Sequence, residues 1–281
     1  MKSRTFTALA LIPPVVYVLG WAPEWLFLLV LIAVAELCLR EYFAICRHAG
    51  FQPMAGTGYG AGAIVCLVAA AYVSRLTLAL PVLAAVPLLI LCLAMFGTPD
   101  LKHYLGKVAC TLFGLLYIPG TLAVLVPLRY SSGVPAWEID RLRGRFWMMV
   151  LFAAIWGGDI LAYFVGRTIG RRPLVPRISP KKTVEGAIGG LLGSVLAALG
   201  VRLAFARVHP NIKMSWLILI VLLVALAGQA GDLVESALKR GAEIKDSGSL
   251  LPGHGGMLDR LDSLLFAAPT LWLVLTAVGN Q

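Results

Sequence analysis

Long apolar runs alternate with short polar breaks along this chain. A helix that crosses a bilayer needs about 20 mainly apolar residues. Nine stretches approach that length: roughly 6–20, 24–39, 58–76, 77–97, 108–127, 147–166, 186–206, 215–234 and 263–279. The first and last are short, which keeps eight or ten spans open. The pattern predicts an all-α fold, a polytopic integral membrane protein of about nine transmembrane helices.

Composition supports that class. Of 281 residues, 59% are hydrophobic and 14% charged, with a mean hydropathy of +0.87. A soluble domain carries about 45–50% apolar and about 25% charged residues, so no room is left for a sizeable soluble domain. Lys2 and Arg4 followed by an apolar run resemble a signal peptide, but no small-residue cleavage site follows, and an uncleaved first helix is expected. The five cysteines (Cys38, Cys46, Cys66, Cys92 and Cys110) lack any paired short spacing and read as small apolar residues.

Charge sets the expected orientation. With the N-terminus and the even-numbered loops in the cytoplasm, that side holds 16 of the 24 Lys and Arg residues, in line with the positive-inside rule. The net charge of +10 also suits anionic head groups. Nucleic acid is a poor partner, because the cations are divided among loops between spans.

The chain divides by charge into 1–145, N-terminal spans with short loops, and 146–281, C-terminal spans carrying the unusual polar residues. In the first part, Glu36 and Arg40 are spaced for a local helical pair. The stretch 128–145 reads as a solvated outer loop. In the second, Gly186, Gly189, Gly190 and Gly193 recur at three and four, which suits a close helix–helix contact.

One window departs from the oily background. Between Ser236 and Asp262 lie Lys239, Arg240, Glu243, Lys245, Asp246, His254, Gly255, Gly256, Asp259 and Arg260. Asp232, Ser236 and Lys239 share a helix face by spacing. Pro252, Gly253, Gly255 and Gly256 forbid a regular helix and let backbone N–H groups converge, as a phosphate-binding nest or simply a tight turn. Asp259 and Asp262 stand three apart, so a helix presents both carboxylates on one side. Two such carboxylates repel unless a cation intervenes, and Mg²⁺ takes oxygen ligands from carboxylates, phosphates and water. Asp159 lies inside the sixth predicted span, where an acid costs at least about 2.5 kcal/mol. Before the seventh span, Lys181, Lys182 and Thr183 follow Arg167, Arg171, Arg172 and Arg177, a set that attracts phosphate. These acids and cations fall at or near one membrane face. That places a polar site at the cytoplasmic interface, suited to metal-assisted phosphoryl or nucleotidyl transfer on a partly lipid substrate.

The whole run from Ser236 to Asp262 resembles the signature of phosphatidate cytidylyltransferases, also called CDP-diacylglycerol synthases. Ser236, Lys239-Arg240, Lys245-Asp246, Pro252, His254-Gly255-Gly256, Asp259-Arg260 and Asp262 fill every fixed position. Trp156–Gly166 and Ser179–Gly186 are also similar to the family; residues 1–145 resemble it only in hydropathy. The resemblance implies joining of CTP and phosphatidic acid into CDP-diacylglycerol and pyrophosphate, with Mg²⁺ and a second cation of open identity. It implies Asp232, Asp246, Asp259, Asp262 and, less directly, Asp159 as the metal set. Asp246, Lys245, Asp259, Asp262 and Arg260 are the catalytic candidates. Ser236, Lys239, Arg240, His254, Gly255, Gly256, Lys181, Lys182 and Thr183 are the candidates for substrate contact. It further implies a homodimer in a bacterial inner membrane with its site facing the cytoplasm.

Two other classes are weighed against this one. A transporter of an anionic substrate predicts mid-bilayer charge and internal repeats, and no repeat is visible. A prenyltransferase-like lipid transferase predicts two Asp-x-x-x-Asp motifs, which the chain lacks.

Overall fold

The computed structural model describes residues 13–74, 76–130, 141–206, 212–248 and 255–279. Residues 6–12 of the expected uncleaved first helix lie outside them, and residues 13–20 are helical. The protein is mostly helical. In order come α1 (Glu24–His48), α2 (Ala55–Ser74), α3 (Leu76–Phe96), a 3₁₀ turn (Leu101–His103), α4 (Tyr104–Tyr117), α5 (Pro119–Leu122) and α6 (Leu125–Tyr130). There follow α7 (Arg141–Ile169), strands β1 (Pro173–Val175) and β2 (Ser179–Thr183), then α8 (Val184–Ala204), α9 (Met214–Gly241) and α10 (Leu258–Gly279).

Among the described residues, five helical stretches are long and apolar enough to cross a membrane: Leu101–Tyr130, Arg143–Ile169, Val184–Ala204, Met214–Gly241 and Leu258–Ala277. The predicted run 24–39 is helical but does not qualify, and the runs 58–76 and 77–97 fall on α2 and α3. In α1 the apolar run is interrupted by Glu36, Arg40 and Glu41. Helices α2 and α3 are 20 and 21 residues long and carry no Asp, Glu, Lys or Arg within their described side chains, so their length and composition suit a span.

Of the loop expected at 128–145, residues 131–140 lie outside the described residues, and its described flanks are helical, with α6 running to Tyr130 and α7 starting at Arg141. Arg129, expected in solvent, is 3% exposed.

An antiparallel hairpin departs from the all-α expectation. β1 pairs with β2 through Pro173↔Thr183 and Val175↔Ser179. Pro173, Pro176 and Pro180 exclude a helix here. Pro176 sits at the second position of the turn closed by the Ile178 N–H on the Val175 carbonyl, 3.1 Å, where its fixed φ is favourable.

The chain packs as two compact units, Met1–Pro127 with Leu238–Leu261, and Leu128–Ala237 with Asp262–Gln281. In the first, α1 turns Leu31, Ala35, Cys38, Leu39, Tyr42 and Phe43 inward. Small residues admit the rings: a Cβ on Gly58 would stand 2.5 Å from Phe43, and one on Gly114 2.7 Å from Tyr42. Tyr42, Phe43, Phe113 and Tyr117 form a ring cluster with centroids 5.6–6.4 Å apart, each contact adding about 0.5–1.5 kcal/mol beyond burial. Glu36 does not hydrogen-bond to Arg40. Its carboxylate is buried without a hydrogen-bond partner, beside Gly62 of α2, while Arg40 is exposed.

In the second unit the glycine run of α8 meets α7 as its spacing predicts. A Cβ on Gly193 would run into the Gly157 carbonyl oxygen, and one on Gly158 would stand 2.5 Å from Ser194 Oγ. Ser194 Oγ donates to the Ala154 carbonyl across the seam, 2.7 Å. Gln229 of α9 donates to the Ala187 carbonyl of α8, 3.0 Å.

Candidate active site

The predicted site residues fall into two groups, one in each unit. In the second unit the anchor is the close approach of α9 and α10. A Cβ on Gly231 would stand 2.5 Å from the Asp262 carbonyl oxygen. The side chain of the next residue, Asp232, pairs with Lys182 Nζ. Asp262 interacts electrostatically with Asp232, with Asp159 of α7 and with Lys182. Its Oδ1 also accepts the Ser263 N–H at 2.6 Å. Three acids from three helices thus share one field, opposed by one lysine.

The hairpin delivers that lysine. Thr183 caps α8, its Oγ1 accepting the Gly186 N–H at 3.1 Å. Glu185 accepts the Arg171 and Arg172 N–H groups at 3.0 and 3.2 Å. The end of β2 is therefore fixed to the helix start one residue after Lys182. Successive residues of a strand point to opposite faces, so Lys181 faces away from Asp232, and it is exposed.

The first unit holds the other group. Lys239, at the end of α9, donates to Asp259 Oδ1 at 2.5 Å. These side chains are 11% and 10% exposed. The same carboxylate accepts the Ser247 N–H at 3.1 Å and the Gly256 N–H at 2.8 Å. Gly255 has φ +80°, which disfavours any side chain there. Arg240 donates to the Ile244 carbonyl at 3.1 Å. Lys245, Asp246 and Arg260 are exposed, whereas Ser236, half-buried, belongs to the second unit. His254 lies outside the described residues.

The Asp259–Asp262 spacing gives a different result from the shared patch it suggests. Both stand in the first turns of α10, yet Asp259 is taken up by Lys239 and two amides while Asp262 faces Asp232 and Asp159.

Sequence reasoning missed Glu41. It sits in α1, 7% exposed. Its Oε1 accepts the Met257 N–H at 2.9 Å; its Oε2 accepts the Leu258 N–H and the Ser247 hydroxyl, each at 2.8 Å. The one signal available was its cost: an acid inside an apolar helix needs a partner.

Among the described residues, no three His, Cys, Asp or Glu side chains converge closely enough to hold a metal ion. Asp232, Asp262 and Asp159 carry the hard carboxylate oxygens that Mg²⁺ takes, and the Lys182 ammonium lies against one of them, Asp232.

Comparison with known proteins gives a consistent picture. A model of the cytidylyltransferase family matches residues 2–278. A phosphatidate cytidylyltransferase of Synechocystis is 34% identical over 278 residues, covering 91% of this chain and 92% of its own. That of Bacillus subtilis is 51% identical over 121 residues, 43% of this chain and 44% of its own. That of Staphylococcus epidermidis is 46% identical over 136 residues, 48% of this chain and 51% of its own. The chain thus spans about half the length of the Bacillus and Staphylococcus relatives.

Proposed function

The chain belongs to the cytidylyltransferase family, and from that premise we propose that it catalyses CTP + phosphatidic acid → CDP-diacylglycerol + pyrophosphate. The observation that carries this reading is the close approach of α9 and α10 at Gly231 and Asp262, beside the ion pair of Asp232 with Lys182. Carboxylates that repel one another call for a cation, and a cation among carboxylates attracts phosphates.

The reaction needs little from the protein in the way of proton transfer. A phosphate monoester has its second pKa near about 6 and is largely dianionic at neutral pH. An oxygen of the lipid phosphate attacks the α-phosphorus of CTP. A P–O bond forms there as the bond to the β-phosphate bridge breaks, and pyrophosphate leaves with that electron pair. The obstacle is bringing two anions together, an electrostatic task.

Asp232, Asp262 and Asp159 are the carboxylates assigned to Mg²⁺, with Asp246 and Asp259 as further candidates, and a bound Mg²⁺ would supply charge neutralisation at the phosphates. The second cation is assigned no ligand. Lys182 holds Asp232 oriented. Lys181, Arg240, Lys245 and Arg260 are exposed cations suited to phosphate oxygens. Lys239 and Asp259 order the loop ending in Gly255 and Gly256, whose backbone is suited to a phosphate.

The same reading includes about nine spans in a bacterial inner membrane, the polar site facing the cytoplasm, and a homodimer. The concentration of Lys and Arg in alternate loops supports the orientation. The homodimer is carried over from the family resemblance alone.

The test is pyrophosphate release by the purified full chain in mixed micelles containing CTP and Mg²⁺. Release that depends on phosphatidic acid is expected. Release at the same rate without lipid, or none with it, would overturn the proposal.

A further inference from the structure

We infer that Glu41 is a positioning residue for the signature loop. This rests on the reading under Proposed function and deepens it, because it ties that loop to helix α1, far outside the signature.

The first N–H groups of α10 have no partner inside the helix, and an N-cap normally comes from the residue just before it. Here the Leu258 N–H and the preceding Met257 N–H are both taken by Glu41, from more than 200 residues away in the chain. The same carboxylate accepts from the Ser247 hydroxyl. Three donors saturate one buried charge, and they come from both arms of the loop: Ser247 from the arm after α9, Met257 and Leu258 from the arm that enters α10. The carboxylate also carries the negative charge that a helix N-terminus favours.

Packing around it is tight. A Cβ on Gly256 would collide with Ser247 Oγ and Glu41 Oε2, and one on Gly248 would stand 2.7 Å from Glu41 Oε1. Both glycines are therefore required by the clasp. Clasping the arms fixes where α10 starts, and with it Asp259, whose carboxylate accepts from Ser247 N and Gly256 N. The hydrogen bonds that Glu41 accepts among the described residues come from Ser247, Met257 and Leu258, all buried or half-buried, so it acts through the loop rather than on substrate.

The test compares Glu41→Gln and Glu41→Ala with the wild-type full chain, reading two quantities. One is hydrogen exchange at the Met257 and Leu258 amides, which needs no substrate. The other is kcat with CTP, phosphatidic acid and Mg²⁺. Gln keeps one acceptor oxygen but turns an amide NH₂ toward a backbone donor, whereas Ala removes all three bonds. Exchange at Met257 and Leu258 is expected to quicken at least about 10-fold in Glu41→Ala, while helix α8 keeps its protection. Turnover is expected to fall about 10- to 100-fold, the scale of a small misplacement of a site, in the order wild type, Glu41→Gln, Glu41→Ala. Full turnover in Glu41→Ala overturns the inference. So does lost turnover with unchanged local protection, or protection lost equally in α8. If Glu41→Ala does not fold, Glu41→Gln and Ser247→Ala carry the same comparison. A wild-type chain inactive on CTP and phosphatidic acid sinks the proposed reaction instead, while the exchange arm still decides whether Glu41 holds the loop.

Discussion

Lys239 and Asp259 stand 20 residues apart in sequence, and their side chains meet at 2.5 Å. The contact joins the end of α9 to the start of α10. Both side chains are about nine-tenths buried, so the pair is shielded from the screening that weakens surface ion pairs. Removing one partner leaves an uncompensated charge. Lys239→Met is therefore expected to cost about 3 kcal/mol, read as a lower melting temperature of the full chain in detergent. The double variant Lys239→Met with Asp259→Leu should recover much of that stability but not turnover, because Asp259 also holds the Ser247 and Gly256 amides. A double variant as unstable as the single one would show that the pair's charge is not what matters.

The Lys182–Asp232 pair behaves differently. Its side chains are 30% and 31% exposed, and such pairs add about 0–1 kcal/mol. Lys182→Gln is expected to leave the melting temperature nearly unchanged while lowering kcat/KM for CTP by about 10-fold or more, the scale expected when a group beside a metal site is removed. The opposite pattern, a large stability loss with normal kinetics, would reassign Lys182 to a structural role.

Glycine positions offer a test independent of chemistry. Gly193→Val drives a side chain into the Gly157 carbonyl, and overpacking of this kind costs about 1–3 kcal/mol or more. Gly200, on the same helix, has nothing within 4 Å of the point where a Cβ would stand. Gly200→Ala should be neutral or stabilising by up to about 1 kcal/mol. Melting curves of the two variants check the α7–α8 seam directly, and equal effects would argue against it.

Much of this was legible beforehand. The long apolar helices, the glycine seam and the dense window from Ser236 to Asp262 each declare themselves through local spacing, and spacing is what a sequence displays. Glu41 was not legible, since its partners Ser247, Met257 and Leu258 lie more than 200 residues away and no periodicity reports such a bond. Nor was the division of labour between Asp259 and Asp262. Helical spacing places two carboxylates near each other but is silent on which neighbours they meet. The hairpin at Pro173–Thr183 was masked by its charges, which drew attention to phosphate rather than to the three prolines that shape it.

The metal assignment has its own test. Asp262→Asn removes one charge from the Asp232–Asp262–Asp159 set, and cytidylyl transfer is expected to fall at least about 10-fold. EDTA should abolish wild-type activity, and added Mg²⁺ should restore it. Turnover indifferent to chelation would leave no role for a metal.

The most direct measurement follows the phosphorus atoms. CTP labelled with ³²P at the α-phosphate is incubated with the full chain, phosphatidic acid and Mg²⁺, and the lipid is extracted. Label is expected in the lipid fraction at the rate pyrophosphate appears, with none when the label is on the γ-phosphate. Lipid that stays unlabelled from the α-position, or that gains label from the γ-position, contradicts attack by the lipid phosphate on the α-phosphorus.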